Sequence, residues 1–327
     1  MRLELIPPPP SRSAALARPP RVGSPALAFL LGALSLFTTV TLGGVFFLAS
    51  RTDVVTDLAP LLLPDTVVRV WGDPVLRGWG LRFALPTLFI LLCHELGHYV
   101  VCRRHGLPAT PPYFVPAPLG LGTFGAFIRI RGPIRTRRQL LEVGVSGPLA
   151  GFAALLPILI YGVAASTPVA LGPAAAADAA GLQLFMPGDG LLMAGLTRLF
   201  HGALPAGTIL NPHPFLLAGW VGLFATMLNL LPLGQLDGGH ILYAAIGRRQ
   251  LRLALPLWIG LAVAGWFWPG WWLWCAIVLV IGLRHPPLHD ESTPLDPFRR
   301  GLALAAALLF ALTFMPVPIR EVVLALP

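Results

Sequence analysis

Apolar residues along this chain fall in long blocks, and polar residues collect between them. The blocks are residues 25–49, 81–102, 140–165, 214–236, 253–283 and 301–317. Most are close to the roughly 20 residues that a helix needs to cross a bilayer. Residues 25–49 are too long for a signal-peptide core and no small-x-small cleavage site follows, so they predict a first spanning helix. The block at 214–236 is expected to continue as helix to Ile246. The block at 253–283 carries Trp266, Phe267, Trp268, Pro269, Gly270, Trp271 and Trp272 in its middle. Two short spans meeting at an aromatic interfacial turn fit that pattern, and one long tilted span is the alternative. The expected fold is an all-α polytopic membrane protein of about six or seven transmembrane helices.

The connectors complete the outline. Residues 1–24, with Pro7–Pro10 and four arginines, read as a flexible cytoplasmic tail. Residues 51–79 mix aspartates with proline and glycine and read as an external loop. Residues 106–134 are rich in proline and glycine. Residues 166–212 read as a second external segment, with a short interfacial helix at 186–203. Residues 25–318 form one transmembrane domain, followed by a short tail at 319–327.

Composition narrows the class. The chain has 327 residues, 56% of them hydrophobic and 11% charged. A soluble domain carries about 25% charge. The mean hydropathy is +0.76. A soluble globule cannot hide that much apolar surface, and disordered chains are polar. All 23 basic residues are arginine, against 14 acidic residues, for a net charge of +9. In a soluble protein this would suggest nucleic acid. Here the arginines cluster between apolar blocks, so neither nucleic acid nor nucleotide is expected, and the partner is the lipid bilayer with its anionic headgroups. With the N-terminus inside, 17 arginines fall on the inner side and 6 on the outer. That bias orients the N-terminus to the cytoplasm, and a bacterial inner membrane is the expected location. Cys93, Cys102 and Cys275 are unclustered and form neither a disulfide framework nor a CxxC site.

The chemistry lies in the few ionisable residues inside apolar blocks. The second block contains His94-Glu95-Leu96-Gly97-His98, an H-E-x-x-H pattern. Residues four apart share a helix face, so both imidazoles can reach one metal ion. Glu95 stands beside them, where it can take a proton from water. A catalytic zinc usually has three protein ligands and an open position. Asp237, in Leu236-Asp237-Gly238-Gly239, lies where the fourth span continues as helix; the other internal acid, Glu142, lies at the basic inner edge of the third span. Both blocks run outward to inward and carry these residues near their inner ends, so Asp237 can complete a His₂Asp site for one Zn²⁺. Its other reading is an N-cap for a helix starting at Gly238.

His94–His98, followed by Asn229-Leu230-Leu231-Pro232 and then Leu236-Asp237-Gly238, resembles the site-2 protease family of intramembrane zinc metalloproteases. The likeness covers roughly residues 81–247, a three-helix catalytic core. It implies zinc on His94, His98 and Asp237, with Glu95 as general base. It also implies cleavage of single-span membrane-protein substrates in or near their transmembrane segments, at a site near the cytoplasmic face. Asn229 matches an asparagine that helps hold substrate or transition state; its alternative role is a helix-packing amide. Two departures stand out. Leu233-Gly234-Gln235 replaces a segment where many members carry a further proline. Gly151, in Ser146-Gly147-Pro148-Leu149-Ala150-Gly151, stands where asparagine is common, as in the chloroplast branch. The chain has no room for a PDZ insertion. A proteolytically inactive binding protein is the alternative function.

Gly120, Gly122 and Gly125 match G-x-G-x-x-G, but the run before them is proline-rich and no helix is expected after them, so a dinucleotide site is not expected. Ala126–Arg131 alternates like a strand. A membrane-embedded hairpin beside the metal would be tolerated there. The family has such a strand, and Gly122, Phe124 and Gly125 become candidate substrate contacts by strand addition. A simple connector is the alternative. His240 is expected to make a structural polar contact. His105, His201, His213, His285 and His289 are expected in loops, solvated or interfacial.

Overall fold

The structure, a computed structural model, describes residues 23–49, 64–118, 120–170 and 182–324. Residues 1–22 of the tail expected at 1–24 and residues 51–63 of the loop expected at 51–79 lie outside those residues, and the rest of that loop is largely helix. Proline opens several helices, where its missing N–H costs nothing. α1 (Pro25–Ala49), α2 (Pro64–Gly72) and α3 (Pro74–Arg104) all begin this way. Asp73 caps α3 by accepting from the backbone of Val75 at 2.7 Å. The helix closes at Gly106, whose φ of +70° only glycine adopts readily.

A hairpin follows, β1 (Tyr113–Pro116) and β2 (Thr123–Phe127), paired antiparallel. Thr136 then caps α4 (Arg137–Ala164) through the Gln139 N–H. Beyond it come β3 (Thr167–Ala170), β4 (Leu182–Pro187), α5 (Leu191–His201) and β5 (Thr208–Asn211). α6 (Pro214–Asn229) starts at a His213 cap, and α7 (Asp237–Ile246) follows a break. α8 (Gln250–Ala264) and α9 (Gly270–Ile281) meet at the tryptophan-rich turn, as the two-short-helix reading expected. α10 (Pro297–Thr313) is capped by Asp296, and β6 (Ile319–Leu324) ends the described chain.

α4 is the hub, packing against α3, α5, α6, α7 and α10, while α1 lies along α3 and the hairpin. Phe83, Ile90, Leu155, Leu159, Leu223, Met227 and Trp271 fill the main core, and Leu140, Leu141, Tyr243, Ala244 and Leu309 a second one. Three helices among the described residues are long and apolar enough to cross a membrane: Pro25–Leu48, Pro74–Arg104 and Arg137–Ala164. Pro214–Asn229 and Gly270–Ile281 are apolar but shorter.

Three expectations change. The fold is mostly helical but not all-α. Three two-stranded antiparallel sheets occur among the described residues, β1–β2, β3–β5 and β4–β6. The last of these draws residues 319–324 back onto residues 182–187. The third change concerns the helix expected from 214 through Ile246, which is broken at residues 230–236. Pro232 has no N–H to continue the ladder, and Gly234 turns with φ +56°. The segment is held from outside by Gly234 N–H on Leu283 O at 3.2 Å and by Gln235 Nε2 on Ile281 O at 3.1 Å.

Candidate metal centre

The i,i+4 spacing of His94 and His98 puts both rings on the α3 face toward α4, with centroids 4.9 Å apart. Both are buried, at 6% and 7% exposure. α7 brings Asp237 to them. Its Oδ2 lies 3.2 Å from His94 Nε2 and 3.3 Å from His98 Nε2, and the two Nε2 atoms are 3.1 Å apart. The three donor atoms lie within 4.8 Å of one another, so the group could hold one metal ion.

The chemistry of this donor set fits zinc. His98 Nδ1 lies 2.8 Å from the Val143 carbonyl. A carbonyl only accepts, so Nδ1 carries the proton and Nε2 offers a lone pair to the cluster. Asp237 is the first residue of α7, and Leu236 is its N-cap with no side-chain bond. The carboxylate therefore does not serve as the cap that sequence also allowed, and both its short contacts go to the histidines.

The face of α4 explains how two rings fit between packed helices. A methyl group at Gly147 would overlap the His98 ring. One at Gly151 would press on His94, 3.1 Å from its Cβ and 3.2 Å from its Nδ1. Two glycines four apart on α4 thus match two histidines four apart on α3. Gly151 stands where an asparagine was the commoner expectation, and here its role is space for His94. Gly97, between the histidines, sits against the Ser146 backbone and lets α3 and α4 approach closely. Sequence reasoning singled out neither Gly147 nor the matched spacing, which is visible once both i,i+4 pairs are written side by side.

Asn229, the last residue of α6, places Nδ2 3.4 Å from His94 Nε2, at the edge of the donor set. Glu95 is buried at 8% exposure. Its carboxylate faces the Ile128 backbone N–H and lies in the field of His98 and Asp237. The hairpin therefore meets the site through Ile128, just beyond β2. Of the hairpin candidates, Gly122 lies at the turn, and Phe124 and Gly125 lie within β2. The Gly122 carbonyl accepts from Thr38 Oγ1 at 2.6 Å, and the glycine packs on the Thr39 backbone of α1. Phe124 is 69% exposed. Gly125 turns with φ +105° in open space.

His285 differs from expectation. It is buried rather than solvated, stacks on Tyr243 with centroids 4.4 Å apart, and places Nε2 2.9 Å from His240 Nδ1. Its Nδ1 donates to the Pro286 carbonyl at 2.6 Å, so its Nε2 accepts and His240 donates. Burial holds the His285 pKa below its usual 6.5. Nothing local in sequence marks this contact, because the partners are 45 residues apart. His105, also expected in a loop, lies 2.6 Å from the Glu142 carboxylate.

The family model for peptidase family M50 matches residues 82–257. The chain is 32% identical over 283 residues to the probable zinc metalloprotease EGY2, chloroplastic, of Oryza sativa subsp. indica, covering 84% of this chain and 50% of that one. It is also 32% identical over 274 residues to the probable zinc metalloprotease EGY1, chloroplastic, of Arabidopsis thaliana, covering 78% and 48%. The chain spans about half the length of these relatives. No solved structure matches.

Proposed function

The chain belongs to peptidase family M50, and on that premise we propose that it is a zinc metalloendopeptidase that cuts membrane-protein substrates in or near their transmembrane segments. One observation carries the reading: donor atoms from His94 and His98 on one helix and Asp237, about 140 residues later, converge on one point.

In this reading His94, His98 and Asp237 hold one zinc ion, which supplies a Lewis acid for activating water and polarising the scissile carbonyl. Glu95 takes the proton from the attacking water and delivers it to the leaving amine. The low exposure of Glu95 keeps that proton from bulk solvent. Asn229 is placed to steady the carbonyl oxygen with its amide N–H. The Val143 carbonyl fixes the tautomer of His98. A helix hides its amides, so the substrate has to unwind before attack. The hairpin offers an extended edge for the unwound stretch, with Gly122, Phe124 and Gly125 along its approach.

The protein is a membrane protein by its apolar helices. The finer topology is also proposed: six or seven spans, with the metal site toward the arginine-rich helix ends and the N-terminus on that side. The relatives carry chloroplastic names, so they lend no support to the bacterial inner membrane expected from sequence.

The test compares cleavage of single-span membrane proteins by the wild type and Glu95→Gln, with zinc measured on both. The expected result is equal zinc and a loss of cleavage of at least roughly a hundredfold. Cleavage retained by Glu95→Gln would overturn the mechanism. Zinc held by a wild type that cleaves nothing would favour an inactive binding protein.

A further inference from the structure

At the arginine-rich helix ends, α3, α4 and α10 enclose a cavity of about 580 Å³ that none of the metal-site side chains lines. Each wall is one helix face. Along α4, Arg138, Glu142, Val145, Ser146 and Leu149 follow one another at helical spacing. α3 contributes Val101 and Arg104, its C-cap contributes His105, and α10 contributes Leu302.

Polarity is graded along this groove. Arg104 and Arg138 stand at the mouth, where both helices end. Val145 and Leu149 lie two to three turns further into the bundle, with Leu302 opposite. Glu142 offsets only part of the charge at the mouth, because its one carboxylate is shared among His105, Arg138 and Arg299. Arg138 reaches it through Nε alone, and its side chain is 64% exposed. Among the described residues no hydrogen bond reaches the terminal nitrogens of Arg138, and Asp296 acts on this side chain only through space. Arg104 is exposed and has no hydrogen-bond partner there either.

We propose that this groove binds one anionic phospholipid, with its phosphate between Arg104 and Arg138 and an acyl chain along Val145, Leu149 and Leu302. Guanidinium groups match phosphate oxygens in geometry and charge. Basic recesses between membrane helices suit anionic headgroups. The apolar continuation is what a free phosphate would not use. The inference rests on α3 and α4 crossing a membrane and is independent of the metal chemistry.

The test is native mass spectrometry of the full chain in detergent, titrated with phosphatidylglycerol, phosphatidylcholine or inorganic phosphate. The wild type should retain one phosphatidylglycerol and neither of the other two. Arg104→Gln/Arg138→Gln should bind phosphatidylglycerol at least roughly tenfold more weakly. Leu149→Trp keeps both arginines but fills the apolar part, and should lose the lipid as well. Arg252→Gln, on α8, should bind like the wild type. Wild-type binding by both groove variants would overturn the proposal. So would equal retention of phosphatidylcholine, inorganic phosphate bound as tightly as the lipid, or an equal loss in Arg252→Gln. Zinc content should stay at the wild-type level in every variant. A wild type that lacks zinc yet holds the lipid would count against the metal reading alone.

Discussion

The two halves of the metal site are built in opposite ways. His94 and His98 project from the last third of one continuous 31-residue helix, and their spacing is set by the helix itself. Asp237 sits at the start of a 10-residue helix that follows a break. Its position depends on distant contacts: Leu283 O on Gly234, Ile281 O on Gln235, and His285 on His240. One half is local geometry and the other is tertiary. Glycine is needed in both, for different reasons. On α4, Gly147 and Gly151 clear space for imidazole rings. At α7, a Cβ on Gly238 or Gly239 would run into the carbonyls of Leu230, Leu231, Leu233 and Gly234, so the chain could not fold back this tightly.

The comparison breaks most severely when a donor is lost from the helical half. His94→Ala or His98→Ala should reduce zinc, measured by mass spectrometry after dialysis, from about one ion per chain to near none. A sharper test is Gly147→Ala, because two principles give opposite signs. Helix propensity alone would make it stabilising by about 1 kcal/mol. Overlap with His98 should instead cost about 1–3 kcal/mol and weaken zinc binding. Gly151→Ala should follow with a smaller loss, since its contacts with His94 are 3.1–3.2 Å. A higher melting temperature in Gly147→Ala would remove the idea that α4 is shaped around the rings.

The tertiary half should respond more gently. His285→Phe keeps a ring against Tyr243 but drops the bond to His240, and should weaken zinc binding by roughly tenfold. Its pH dependence has a definite sign. A histidine whose folded pKa lies below 6.5 binds fewer protons folded than unfolded, so its contribution is complete above that pH and declines as pH falls below it. The wild type should therefore lose stability between about pH 6.5 and 5 more steeply than His285→Phe, in thermal melts across that window. The smallest effect is at Glu291. It accepts from Tyr243 at 2.6 Å and from Arg248 at 3.3 Å, and the Tyr243 hydroxyl holds its pKa below the usual 4.5. Because this pairing sits at the half-buried edge of the fold, Glu291→Gln should lower the melting temperature by only a degree or two. Any difference should vanish as pH falls below 4.5.

The same division decides what sequence could reveal. The H-E-x-x-H pattern is legible because four-residue spacing has one meaning on a helix. Asp237 was legible because an acid in an apolar block is costly and few exist. The break before Asp237 was not, because an apolar run from 214 to 236 reads as one helix. Pro232 and Gly234 mark it only once Leu283 is known to supply a partner. The hairpin was legible from its glycines, but the strand expected at 126–131 lies earlier, at Thr123–Phe127, and the approach to Glu95 falls at Ile128. The β4–β6 pairing joins segments more than 130 residues apart, and no local signal foretells it.

The most direct test of a site shared between α3 and α7 is zinc-edge X-ray absorption of the purified wild type beside Asp237→Ala. The wild type should show one zinc per chain with two imidazoles and at least one oxygen at about 2.0–2.2 Å, and Asp237→Ala should lose most of its zinc. An Asp237→Ala chain that kept one tightly held zinc with an unchanged spectrum would contradict the convergence of His94, His98 and Asp237 on one ion.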